Sequence, residues 1–93
     1  MRTVTIQIGN TDDKLKQTEW ASYVRTMRAE ILNHCQEIHF FGASANWEQW
    51  QNAAWIVVCE DHKLPGLEAA VSGVRVMFKQ DSAAWTAGET LFI

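Results

Sequence analysis

No apolar run in the sequence approaches the roughly 20 residues that a bilayer-crossing helix needs. Like charges never gather beyond adjacent pairs such as Asp12-Asp13, and eleven acidic against eight basic residues leave a formal net charge of only −3. Binding that depends on neutralising phosphates, on nucleic acid or an anionic membrane, is therefore not expected. The acidity is also too mild to imply a basic partner. Cysteine is scarce: Cys35 and Cys59 form no disulfide framework, and both are expected to be reduced thiols in a cytoplasmic protein. Met1-Arg2-Thr3-Val4 runs straight into an alternating segment without the apolar core of a signal peptide, which agrees with that compartment. Gly-x-Ser-x-Gly, Walker, Gly-x-Gly-x-x-Gly and His-Glu-x-x-His motifs are all missing.

What is present is enough for one domain over residues 1–93, with 47% hydrophobic residues and a size at which oligomerisation would help to bury surface. Val4, Ile6 and Ile8 alternate with Thr3, Thr5 and Gln7, a half-buried strand closed by Gly9-Asn10. From Gln17 to Cys35 the period becomes helical, with Trp20, Tyr23, Val24, Met27, Ile31 and Cys35 on one stripe and Arg25 and Arg28 off it. Glu37 to Gly42 predicts a second strand. Ala53 to Glu60 predicts a third, apolar on both faces as a central strand covered on two sides would be. Pro65 suits the first turn of a second helix presenting Leu67, Val71, Val74 and Phe78 or Met77, with Gly73 as a possible point of close packing on the sheet. Ala83 to Ala87 predicts the last strand, and Leu91-Phe92-Ile93 either extends it or folds back.

Strand, helix, strand, strand, helix, strand is the order of an α+β, ferredoxin-like βαββαβ sandwich: a four-stranded antiparallel sheet in the order 4-1-3-2 with two helices on one face. That topology gathers three polar segments at one sheet edge. Asn10, Asp12 and Asp13 follow the first strand, Trp50, Gln51 and Asn52 precede the third, and Asp81 and Ser82 precede the fourth. Polar groups converging beside an aromatic wall are what a small-ligand pocket needs, although the same residues also build ordinary turns. The opposite edge collects His34, Cys35, Cys59, Asp61 and His62. Cys59 and His62 have a Cys-x-x-His spacing, but no second ligand pair accompanies them, so neither a metal nor another cofactor is assigned.

If Val4, Ile6, Ile8, Ile38, Phe40, Ile56 and Val58 face the helices, the open sheet face carries Thr5, Gln7, His39, Phe41, Trp55, Val57 and Trp85. Such an apolar patch exceeds what a monomer usually exposes, and His39, Phe41, Trp55, Val57 and Trp85 become the candidate interface of a homodimer. RNA-binding modules of this fold stack bases on aromatics of both central strands within basic motifs. Here the first strand is polar and the third has no Lys or Arg, so RNA is not the expected partner.

Ile8-Gly9-Asn10-Thr11-Asp12-Asp13-Lys14-Leu15, His39-Phe40-Phe41-Gly42, Trp50-Gln51-Asn52 and Gln80-Asp81-Ser82-Ala83-Ala84-Trp85-Thr86 together resemble a group of short uncharacterised ferredoxin-like proteins of actinobacteria and their phages. The resemblance covers nearly the whole chain and brings no activity with it. A phage connection would imply an accessory protein that binds a host protein or sequesters a small molecule. The chain departs from the expected pattern at Lys16, where Ser or Thr would cap the first helix ahead of Glu19. The resulting expectation is a non-enzymatic, homodimeric binding module for a protein or small-molecule partner. The alternative is a small enzyme of the dimeric α/β-barrel kind, using the polar edge or His39 as general base.

Overall fold

The computed structural model describes residues 1–10, 14–35, 37–45 and 50–93. In chain order these form β1 (Arg2–Gly9), α1 (Gln17–His34), β2 (Ile38–Ala43), β3 (Asn52–Cys59), a 3-10 turn (Asp61–Lys63), α2 (Leu64–Met77) and β4 (Ala84–Glu89). The four strands make one antiparallel sheet in the order β2-β3-β1-β4, with β1 and β3 at its centre. This is the ferredoxin-like α+β arrangement that the element order predicts. Among the described residues no helix is long and apolar enough to cross a membrane.

The helix stripes are those the periodicity predicts. Trp20, Tyr23, Met27 and Ile31 of α1 and Leu67, Val71 and Val74 of α2 are buried in one cluster with Val4, Ile6 and Ile8 of β1. Phe78 packs against that cluster, while Met77 turns outward. At the start of α1 the Lys16 N–H donates to the Glu19 carboxylate at 3.0 Å. Half of a capping box is therefore present, and an ammonium side chain cannot supply the reciprocal acceptor. α2 ends in a Schellman turn: the Lys79 N–H donates to Val76 O (2.9 Å) and the Gln80 N–H to Arg75 O (3.0 Å). The turn needs a left-handed residue, and Lys79 takes it, with φ 57°. Gly73 has no atom within 4 Å of where its Cβ would stand, so it marks no close packing on the sheet.

Three strands differ from expectation. Register pairs Ile6 with Trp55 and Val4 with Val57, and residues directly opposite one another share a sheet face. Trp55 and Val57 are therefore wholly buried under the helices, and Ile56 and Val58 lie on the open face, the reverse of the sequence reading. In β2 the pairing shifts between Ile38 and Phe40, an irregularity that leaves His39 as an extra residue. Phe41 consequently lies opposite Trp55 on the helix side, ring centroids 5.2 Å apart, and Phe40 lies opposite Ile56 on the open side. Trp85 pairs with Ile6 and packs against the core, so it too leaves the predicted open face.

Candidate functional site

The polar edge is largely used by the fold itself. Asn10 is buried and receives the Leu15 N–H at 3.0 Å while its own amide donates to Leu15 O at 2.9 Å, which pins the chain on either side of residues 11–13. Its amide also reaches Gln51 Oε1 at 3.4 Å, and its backbone N–H donates to Gln51 O at 2.8 Å. Gln51 in turn exchanges amide hydrogen bonds with Gln17 of α1, at 2.8 and 3.2 Å. These pairings satisfy buried polar groups and join β1, α1 and β3, leaving little for a ligand. Asp12 and Asp13 lie outside the described residues. Asp81 is exposed and meets Lys14 Nζ at 3.5 Å, so the segments after β1 and before β4 do share this edge. Asn52 donates to Trp50 O at 3.2 Å, and Trp50 stands exposed. Asn52 and Ser82 line a shallow depression of about 550 Å³ at the end of the open sheet face, with Gln7, Phe40 and Ser44.

At the opposite edge a smaller hollow of about 270 Å³ is bordered by His34, Cys35, His39, Cys59 and Lys63. Both cysteines are free and buried. Burial, with the Cys59 thiol beside it, pushes the Cys35 thiol well above the ordinary cysteine range, which favours the neutral, unreactive form. His39 Nε2 meets Glu37 Oε1 at 2.9 Å, and His62 meets Glu60 at 3.4 Å. Asp61 faces the N-terminal ammonium (3.3 Å) and Arg2 (3.7 Å). Among the described residues no three His, Cys, Asp or Glu side chains are grouped to hold a metal ion.

A larger concave surface than these two is one the sequence reading missed. A groove of about 820 Å³ runs between α1 and β2, within the size range of ligand sites. Trp20, Ala21 and Val24 form one wall, Phe41 and Ala43 the other, and the exposed Arg25 and Arg28 border it. Among the described residues no acidic side chain lines it, although the chain as a whole is acidic. Arg25 donates to Ser22 Oγ at 3.2 Å, and Arg28 has no ion pair among the described residues. Its base is firm: Trp20 meets Tyr23 edge-on at 6.0 Å, Tyr23 stacks on Phe78 at 5.0 Å, and Phe41 leans on Trp55. Burial pushes the Tyr23 hydroxyl up to about 12, against a smaller opposing effect of Arg75. The sequence signal was available in part, since Arg25 and Arg28 flank Ala21 and Val24 on consecutive turns. What it could not show was that Phe41 of a distant strand would complete the groove.

Of the candidate interface residues, Trp55 and Val57 are enclosed in the core, Phe41 and Trp85 are on the helix side, and His39 is exposed at the β2 irregularity. The open face instead carries Phe40, Ala54, Ile56 and Val58 with Thr3, Thr5, Gln7 and Thr86, with no charge at these paired positions, while Glu37, His39 and Glu60 border it beside Val58. Leu91, Phe92 and Ile93 are strongly exposed, so the last residues do not bury themselves on it. Comparison of the chain with family models, curated proteins and solved structures gives no match.

Proposed function

We propose that the protein is a non-enzymatic binding module whose recognition site is the α1–β2 groove, and that its partner presents an apolar group next to an anionic one. The observation that carries this reading is the pairing of apolar walls, Trp20 and Val24 facing Phe41, with two exposed guanidiniums and, among the described residues, no acid. Apolar walls desolvate a ligand and a few placed polar groups orient it. Arginine suits the polar role because its planar fork matches a carboxylate with two parallel hydrogen bonds. The groups considered for acid–base chemistry have surface partners of their own, His39 with Glu37 and Asp81 with Lys14, which supports binding over catalysis.

Calorimetric titration with 2-naphthoate, an apolar ring bearing one carboxylate, tests the reading. Binding to the wild type should weaken about tenfold in Arg25→Gln/Arg28→Gln, the loss of charge-assisted hydrogen bonds. Equal affinity of both proteins for the probe would remove the groove as the recognition site.

A homodimer remains the second reading, on a different footing from the tryptophans that first motivated it. Its support is the centre of the open sheet face, where Phe40, Ile56 and Val58 sit among uncharged paired positions with no helix over them. Two such faces meet across a two-fold axis without opposing charges. Ile56→Lys should then convert a dimer to a folded monomer by light scattering, and a wild type already monomeric at high micromolar concentration would refute it.

A further inference from the structure

β2 is an edge strand: its one neighbour in the sheet is β3, and among the described residues no strand pairs with its other side. Which of its backbone groups point to that open side follows from the ladder. The Ser44 N–H donates to Asn52 O at 2.9 Å, so these residues form a hydrogen-bonded pair. Such pairs recur at every second position of an antiparallel ladder. Gly42 opposite Ala54 is the next, and Phe41 opposite Trp55 and Ala43 opposite Ala53 are the intervening pairs that exchange no hydrogen bond. The N–H and C=O of Phe41 and Ala43 are therefore directed outward, away from β3. Among the described residues no turn or loop hydrogen bond takes them up. The side chains of these same two residues line the α1–β2 groove.

Backbone groups open to pairing and a side-chain groove thus coincide on two alternate residues. A strand laid against β2 would hydrogen-bond to Phe41 and Ala43, and its side chains opposite them would share their sheet face. Those side chains enter the groove over Trp20 and Val24, beside Arg25 and Arg28. Natural edge strands are commonly protected by lysine, proline or a bulge. In β2 the irregularity at His39 protects the start of the strand, and Phe40 to Ala43 carries no charge and no proline. The open stretch is short, so groove contacts, more than backbone bonds, must supply selectivity.

We propose that the α1–β2 edge binds an extended acidic peptide segment by strand addition, with apolar residues at alternate positions in the groove and a carboxylate on Arg25 and Arg28. Main-chain pairing gives such complexes their affinity and the alternate side chains their specificity. The acidic character follows from the two exposed arginines, Arg25 and Arg28, that border the groove, with no acid lining it among the described residues. The inference rests on the groove being the recognition site and adds the class and conformation of its partner.

The test uses the full chain and a panel of acetylated, amidated peptides that alternate threonine with valine, leucine or phenylalanine and end in two aspartates. Each has a counterpart with asparagine for aspartate and one with N-methylated amides at the pairing positions. Binding of at least one parent peptide should slow hydrogen exchange at the Phe41 and Ala43 amides. It should weaken about tenfold with asparagine or in Arg25→Gln/Arg28→Gln, and be lost on N-methylation. Binding that survives N-methylation, or failure of every parent peptide, overturns strand addition. 2-Naphthoate distinguishes the two levels: arginine-dependent binding of naphthoate without peptide binding leaves the groove standing and removes the strand. Concentration-dependent protection of the Phe41 and Ala43 amides in the free protein would give the edge to a second copy and also overturn the proposal.

Discussion

Trp55→Ala removes the largest of the wholly enclosed side chains, one set between Ile6 of β1 and Phe41 of β2. A tryptophan buries about 150–250 Å², worth roughly 4–6 kcal/mol at about 25 cal/mol per Å². Truncation of such residues to alanine costs about 3–5 kcal/mol. A domain of this length has roughly 5–14 kcal/mol in all, so the variant should be folded only marginally. Trp55→Phe should cost far less than its lost volume implies. The indole Nε1 is buried with no hydrogen-bond partner among the described residues, and removing an unsatisfied donor recovers about 1–3 kcal/mol. Urea unfolding followed by far-UV circular dichroism checks both. With a slope of about 1.5 kcal/mol/M, the alanine midpoint should fall by about 2–3 M and the phenylalanine midpoint by less than about 1 M. Phe40→Ala on the open face is the control and should move it little. An alanine variant with the wild-type midpoint would return Trp55 to the surface and undo the assignment of the β3 faces.

Gly73→Ala should stabilise the protein by about 0.5–1 kcal/mol in the same urea assay, because a mid-helix glycine is replaced where its Cβ meets nothing. Lys79→Gly should stabilise by about 1 kcal/mol, since a side chain leaves the left-handed position of the Schellman turn. Tyr23, the sole tyrosine, should titrate at about pH 12 by absorbance at 295 nm. Its neutral phenol is the form the core accepts, so the unfolded state loses that proton first, and stability present below about pH 10 should fall as pH rises toward 12. A Tyr23 titration at the ordinary value in folded protein would contradict its burial. Cys35 should resist iodoacetamide in the native protein at pH 8 and react promptly in urea, read by mass spectrometry; equal rates in both would show the thiol to be accessible.

The helices and β1 were legible because each has one apolar face, and a single face sets the phase of a periodic pattern. β3 was not. Ala53, Trp55, Val57 and Cys59 alternate with Ala54, Ile56 and Val58, so both phases are apolar and local sequence cannot choose between them. The choice is made by long-range register, which sets Trp55 opposite Ile6. β2 failed for a different reason. The irregularity at His39 changes the phase in mid-strand, and no glycine or proline marks it. At the polar edge the residue types were readable but their role was not: Asn10 and Gln51 carry the donors and acceptors of a site and use them on Leu15 and Gln17. The α1–β2 groove needed both helix phase and β2 phase to be right, and the second was wrong.

The central claim is that recognition takes place between α1 and β2. Amide chemical-shift mapping of the 15N-labelled chain during titration with 2-naphthoate addresses it most directly. Shifts should concentrate on residues 17–28 and 41–44 and collapse in Arg25→Gln/Arg28→Gln, with the remaining spectrum unchanged. Shifts that gather instead at Asn52, Ser82 and Gln7 would move the site to the open face of the sheet and contradict the account.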